Sequence, residues 1–273
     1  MIRIVGAICI DIVARRDTFR AGTSNPSRIS VEVGGVGYQV YRGLSVASRL
    51  LTAIGDDELS ALAAREVAAD PSTTMRVIRG AGPSVYLALM ERGRLAVGAS
   101  DLAAIERLDA AEAAAWIGEP APEDLLVLDA NLAPDTVSGL VERYARRTRV
   151  VLEPVSVEKA ARCREALHDL VLVTPTEEEA VALCDGGEFG RWMSERRIAH
   201  AVVTRGPDGA DLWTGGMARR FAPARVVAAS DTTGAGDRLL AALLDGLHGG
   251  RGMDVALRAA MTAVETWLEK GSA

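Results

Sequence analysis

The sequence is poor in the residues that carry redox, metal and covalent chemistry. It has three cysteines, Cys9, Cys163 and Cys184, an odd number at wide spacing. With no CxxC pair, neither a disulfide framework nor a zinc ribbon is supported, and reduced core thiols are expected. His168, His200 and His248 are the only histidines; none has a partner at zinc-motif spacing, and there is no His-Glu-x-x-His. The absence of Gly-x-x-x-x-Gly-Lys-Ser/Thr excludes a P-loop, and Gly34 to Val40 fails to complete Gly-x-Gly-x-x-Gly. No Gly-x-Ser-x-Gly elbow occurs either. A basic block is also missing: 31 basic against 37 acidic residues give a net charge of −6. Such a chain is a poor nucleic-acid binder, because neutralising phosphates normally supplies most of that affinity. A nucleoside, which carries no phosphate, is not excluded. No apolar run approaches the roughly 18 residues that span a bilayer. The apolar N-terminus is interrupted by Asp11 and reads as a buried strand, not a signal peptide. The expectation is a soluble cytoplasmic protein with no membrane or nucleic-acid partner.

What is present is a large potential core. Hydrophobic residues make up 49% and charged residues 25% of 273 residues, enough for one α/β domain with a small appendage. Ile2 to Ile10 is a β-branched run suited to a strand buried on both faces. Short apolar runs at Leu50–Ile54, Leu125–Leu128, Val150–Leu152, Leu170–Val173 and Ala201–Thr204 alternate with helical stretches, among them Tyr38 to Ser48 and Asp57 to Ala69. This βα rhythm predicts right-handed crossovers and a parallel sheet. Residues 28–33, 75–79, 84–90 and 94–98 instead alternate apolar and polar, as strands with one wet face do. The division that follows is a doubly wound core of residues 1–11, 34–71 and 100–273, with a small β lid of residues 12–33 and 72–99. In open α/β sheets ligands bind beyond the carboxyl ends of the strands, so the lid is expected to cover a site there. Its exposed hairpin edges also favour a homodimer through the lid.

The strongest local signal is Asp231-Thr-Thr-Gly-Ala-Gly-Asp237, followed by an apolar helix. A glycine turn at a helix N-terminus exposes backbone N–H groups and the positive end of the helix dipole, which together bind anions. Gly234 and Gly236 let the backbone approach a phosphate closely. Asp237 stands beside that anion site, where a carboxylate can take the proton of an attacking hydroxyl while the amides stabilise a transferring phosphoryl group. Phosphoryl transfer needs these two things: positioning and electrostatics.

This heptad resembles the C-terminal signature of the ribokinase-like (PfkB) carbohydrate kinases, and Gly34-Gly35 resembles their N-terminal signature. The resemblance runs in order along essentially the whole chain. It implies a ribokinase-like doubly wound, mostly parallel sheet with an inserted lid. It also implies transfer of a phosphoryl group from ATP with Mg2+. Carried over residue by residue, it makes Asp237 the base, and Gly234, Ala235 and Gly236 the anion hole. Asp11 holds substrate hydroxyls beside Gly34, Gly35 and position 39, and Glu179 acts indirectly on the metal. Thr23-Ser-Asn-Pro26, Ser84-Val-Tyr-Leu-Ala88, Leu128-Asp-Ala-Asn-Leu132 and Glu153-Pro-Val-Ser-Val-Glu-Lys-Ala160 are similar to the pseudouridine kinase branch. They add Asn25, Tyr86 and Asn131 to the substrate side and imply phosphorylation of pseudouridine on its 5′-hydroxyl. Val203–Gly209 resembles the nucleotide-contacting segment, which adds Thr204, Gly206 and Gly209 to Thr233, Gly234 and Gly236 on the ATP side. A plain strand-turn reads equally well there.

The sequence departs from the family at three places. Gln39 stands where the family has Asn, Thr176 replaces the Asn of Asn-x-x-Glu, and the sequence stops early, at Ala273. Another nucleoside or sugar as substrate, or a weakly active ligand-binding relative, therefore stand as alternatives. The complete anion hole with its base argues against the last. Asp231 is either a ligand for a monovalent cation such as K+ or a turn-fixing side chain. Lys159, one of two lysines, is either a phosphate contact or a solvated residue at the start of a helix.

Overall fold

In the computed structural model, which describes residues 1–227 and 232–271, the first half runs β1 (Ile2–Val5), β2 (Cys9–Arg16), β3 (Arg28–Gly34), α1 (Val36–Gly43), β4 (Ser48–Ile54), α2 (Glu58–Val67), β5 (Thr73–Val77), β6 (Val85–Glu91), β7 (Arg94–Asp101), α3 (Ala103–Glu106) and α4 (Ala110–Ile117). The second half continues with β8 (Leu125–Asp129), α5 (Pro134–Tyr144), β9 (Arg149–Glu153), α6 (Val157–Cys163), β10 (Leu172–Val173), α7 (Glu177–Leu183), α8 (Phe189–Glu195), β11 (His200–Thr204), β12 (Ala210–Thr214), β13 (Met217–Phe221), α9 (Ala235–His248) and α10 (Met253–Gly271). Nine strands form one sheet in the order β13-β12-β11-β10-β9-β8-β1-β4-β5, with all neighbours parallel except that β12 runs antiparallel to both β11 and β13 at one edge. The other four, β3-β2-β6-β7, form a small sheet. No described helix is long and apolar enough to cross a membrane.

Helices cover both faces of the large sheet, and the strands show why. Their residues alternate between two cores, as a period of two requires. Leu125 and Val127 face α1, α2, α9 and α10. Leu126 and Leu128 face the side built by α4 to α8. Both sets are essentially fully buried, so the strands read as continuous apolar runs rather than alternating ones. Tyr144 is the largest fully buried side chain, and its hydroxyl donates to the Ala114 and Gly118 carbonyls. Buried phenols keep such partners because an unpaired hydroxyl costs about 1–3 kcal/mol.

Sheet membership differs from the sequence expectation in two places. Ile2 to Ile10 is not one strand. β1 stays in the large sheet, and the chain leaves it at Gly6, so that β2 starts the small sheet already at Cys9. A Cβ on Gly6 would sit 2.5 Å from the Asp129 carboxylate, and one on Gly37 would sit 2.7 Å from the Gly6 backbone. The break is where α1 packs hard against the end of β1. The second correction concerns residues 72–77, assigned to the lid. Thr73–Val77 pairs in parallel with β4 as the edge of the large sheet. Its alternation comes from being an edge strand over solvent, which looks the same in sequence as a lid strand. The lid in turn extends through β7 to Asp101. The β12–β13 hairpin was not expected from sequence.

Candidate active site

Chain reversal puts the site at one place. β1 has β4 on one side and β8 on the other, so the connections diverge there, and the carboxyl ends of the strands open a crevice. In sheet order those ends carry Gly6, Asp129, Glu153, Thr174 and Thr204. Above them lie α9 and the small sheet. The two enclose a cleft of about 1260 Å³ and, deeper, a chamber of about 210 Å³. Asp237 borders both.

Asp237 lies in the first turn of α9. Gly234 is the N-cap residue, in the left-handed region at φ 81° that glycine adopts without a Cβ penalty. Among the described residues no side chain caps this helix, and the Ala235 N–H donates to the Thr232 carbonyl at 3.1 Å; an uncapped helix N-terminus of this kind is a setting suited to an anion. Ala235 and Gly236 continue this turn, and Gly236 lines the deeper chamber. Burial, with the nearby Asp129 and Asp11 carboxylates, pushes the Asp237 carboxyl up to about 7. A carboxylate at that value is a stronger base than a solvated one and is still ionised above neutrality.

The lid face over the cleft carries Asp11 and Tyr86, adjacent across the β2–β6 pairing. Burial raises the Asp11 carboxyl, and the Cys9 thiol donates to its Oδ1 at 3.1 Å, with the opposite effect. Gly34 is explained by this carboxylate, since a Cβ there would meet Asp11 Oδ2 at 2.0 Å. Gly35, at φ 97°, starts α1, where a Cβ would lie 2.6 Å from the Ala7 carbonyl oxygen. Gln39 also lines the cleft. Its extra methylene lets the amide reach back and donate to the Val33 carbonyl of β3 at 3.4 Å. Asn131 and Thr233 complete the expected residues on this surface.

In the deeper chamber, Thr176 takes over a capping role. Its hydroxyl accepts the Glu179 N–H while Glu179 Oε2 accepts the Thr176 N–H at 2.8 Å, a reciprocal capping box. Threonine caps helices as asparagine does, so the departure at 176 keeps α7 in place. Thr204 borders the same chamber.

Three expected residues among the described ones stand apart from these cavities. Asn25 is spent on its own loop, accepting from the Arg20 N–H and donating to the Arg20 and Thr23 carbonyls. Gly206 and Gly209 shape the turn between β11 and β12, and a Cβ on Gly209 would strike the Phe221 carbonyl oxygen at 2.1 Å. Asp231, with its monovalent-cation reading, lies outside the described residues.

Two residues were not singled out as site residues from sequence. Glu153 ends β9 and lines the deeper chamber. Burial raises its carboxyl well above the usual range, with Glu179 and Asp237 adding to this, and the Thr174 hydroxyl donates to it. Asp129, 1% exposed, accepts the N–H groups of Ala7 at 2.8 Å, Gly37 at 3.0 Å and Asn131 at 3.1 Å. A charged residue ending an otherwise apolar strand was the available signal in both cases. Among the described residues no group of three or more His, Cys, Asp and Glu side chains is placed to hold a metal ion directly.

The raised Asp237 carboxyl has a consequence for stability. An unfolded aspartate titrates near 3.9, so from about pH 4 to about 7 the folded chain holds a proton that the unfolded chain has released. The stability from this group therefore falls as pH rises through that window. Asp237→Asn is expected to melt higher than wild type at pH 8, by roughly 2–4 °C for each kcal/mol relieved in a chain of this size. The gap closes toward pH 5. Thermal melts of both proteins at the two pH values check it; a gap independent of pH contradicts it.

Over residues 1–273 the chain matches the pfkB family carbohydrate kinase description. It is 28% identical over 231 residues, 78% of its length, to the bifunctional protein HldE of Azorhizobium caulinodans, and spans about half, 48%, of that curated relative. Its fold superposes on the ribokinase from Thermotoga maritima with a TM-score of 0.82 at 21% identity, covering 98% of this chain and 92% of that one. The Arabidopsis thaliana ribokinase, solved with ribose and ATP, gives 0.75 at 17% identity, again over 98% and 92%. The fold is thus the α/β ribokinase-like one, and the chain belongs to the pfkB family of carbohydrate kinases.

Proposed function

We propose that this chain transfers the γ-phosphoryl group of ATP to a hydroxyl of a nucleoside or sugar, with pseudouridine, accepting at its 5′-hydroxyl, as the first reading. One observation carries the chemistry: Asp237 borders both cavities at the N-terminus of α9, with its carboxyl pushed up to about 7. An acceptor in the cleft has its hydroxyls held by Asp11, with Gln39 and Tyr86 on the same wall. Asp237 takes the proton of the attacking hydroxyl. The new bond joins that oxygen to the γ-phosphorus, the bond to the bridging oxygen breaks, and ADP leaves. The amides of the Gly234–Gly236 turn, aligned with the helix dipole, stabilise charge on the group in transit. Magnesium arriving with ATP neutralises phosphate charge and keeps several waters. Glu153 and Glu179 fit contacts to such waters, since Glu179 already shares one oxygen with the Thr176 N–H. The ATP-side contacts of Thr204, Gly206, Gly209 and Thr233, and a K+ requirement, are part of the same reading.

Pseudouridine is supported by the placement of three of the four branch-like segments on the cleft: Tyr86 from the lid, and Asn131 and Lys159 from two segments of the floor. Turnover of ATP by the purified protein, with magnesium and potassium, against pseudouridine, uridine, cytidine, adenosine, ribose and fructose 6-phosphate tests it. Strong preference for pseudouridine over uridine is expected. Preference for another alcohol keeps Asp237 and removes the branch.

The lid also supports the proposed homodimer. Across the strand registers Ile29, Val31, Leu87 and Val97 share its outer face, and they are 61%, 54%, 43% and 57% exposed. An apolar patch of this kind, with Asp101 at one end and Arg16 and Glu91 at the other, matches a second copy of itself. Light scattering is expected to give the dimer mass, and Val31→Glu the monomer mass; a monomeric wild type contradicts it.

A further inference from the structure

Lys159 was open to two readings from sequence, and its surroundings favour neither a plain solvated lysine nor an anion site. Its side chain is partly buried on the cleft floor, and Nζ donates to Asn131 Oδ1 at 2.5 Å. Asn131 is itself 2% exposed, and its amide also hydrogen-bonds the Asp129 carboxyl. That arrangement fixes the orientation of the amide: oxygen toward Lys159, nitrogen toward Asp129. The loop beneath is held as firmly, because the Arg162 guanidinium donates to the Ala130, Asn131 and Leu132 carbonyls and pairs with Glu106. A lysine and an amide are rare here: the chain has two lysines, two asparagines and one glutamine.

No carboxylate among the described residues pairs directly with Lys159; Asp129 and Glu106 act on it from further away. Its ammonium has three N–H donors and gives one to Asn131. The remaining donors, on a group already partly withdrawn from water, need an acceptor that a ligand can bring. Charge decides which kind. Among the described residues the cleft is lined by five carboxylates and five cations, so away from the α9 N-terminus it has no surplus positive charge to hold a second phosphate beside the acidic Asp11. A neutral ring bearing a carbonyl oxygen fits this better.

We infer that the Lys159–Asn131 pair is the specificity-determining element of the cleft and reads a ring carbonyl of a pyrimidine-dione nucleoside, resting on the nucleoside reading given above. The ammonium donates to the carbonyl oxygen while Asn131, clamped between Lys159 and Asp129, holds the ammonium in place. Cytidine, which replaces one ring carbonyl with an amino group, loses an acceptor on that edge. Ribose has no ring to read.

The test compares kcat/KM for pseudouridine, uridine, cytidine, ribose and fructose 6-phosphate, which keeps a free primary hydroxyl, in wild type, Lys159→Met and Lys159→Arg, with ATP affinity and melting temperature as controls on folding. A hydrogen bond to a charged donor is expected to make the nucleoside-to-ribose ratio of kcat/KM fall about 10- to 100-fold in Lys159→Met. The loss falls mainly on KM, and Lys159→Arg restores part of it. An unchanged ratio overturns the inference, as does an equal loss for ribose, which would place Lys159 in the common reaction. A larger loss for fructose 6-phosphate than for the nucleosides overturns it in favour of an anion subsite. Wild-type protein that phosphorylates ribose but no pyrimidine nucleoside overturns it one step earlier, at the nucleoside reading, before any variant is measured.

Discussion

The arrangement depends on one buried carboxylate, Asp129 at the end of β8. It collects the N–H groups of Ala7, Gly37 and Asn131, and so ties the end of β1, the start of α1 and the floor of the cleft to a single point. These amides sit where the sheet order reverses, beyond the reach of ordinary strand pairing. Left unpaired in the interior, each would cost about 1–3 kcal/mol. Gly6 and Gly37 follow from the same contact, since the backbones must close on Asp129 with no Cβ between them. Two consequences reach the site. Asn131 is fixed for Lys159, and a negative charge is planted near Asp237.

Three aspartates, Asp11, Asp129 and Asp237, share this region, and like charges in a partly dry cavity resist ionising together. The structure accommodates them unequally. Burial raises all three carboxyls, but backbone donors offset this at Asp129 and the Cys9 thiol does so at Asp11, while Asp237 is pushed up to about 7. This is the division of labour a general base needs: one group kept uncomfortable, with its neighbours fixed. The first turn of α9, which no side chain among the described residues caps, supplies the positive end of a helix dipole beside it.

Much of this was legible in the sequence. The parallel core followed from apolar runs at βα spacing, and the Asp231–Asp237 heptad located the anion turn because glycines and a carboxylate at a helix start have few other uses. The legibility failed where two physical causes share one pattern. Thr73–Val77 alternates because it is an edge strand, which from sequence looks like a lid strand. Ile2–Ile10 is apolar apart from Arg3 although it crosses from one sheet to the other, because both ends are buried. Asn25 resembled a substrate contact, but an asparagine beside a proline turn serves equally well to hold its own loop. Glu153 and Asp129 were missed as site residues because their meaning lies in which strands are neighbours, which only the sheet order reveals.

The central claim is that Asp237 is the proton acceptor of a phosphoryl transfer. Its most direct test is the turnover number of Asp237→Asn with the preferred acceptor, measured beside its affinity for ATP. General-base contributions are about 10²- to 10⁴-fold, so kcat is expected to fall by that factor while ATP binds within a few-fold of wild type or more tightly. Near-normal turnover in this variant would contradict the account.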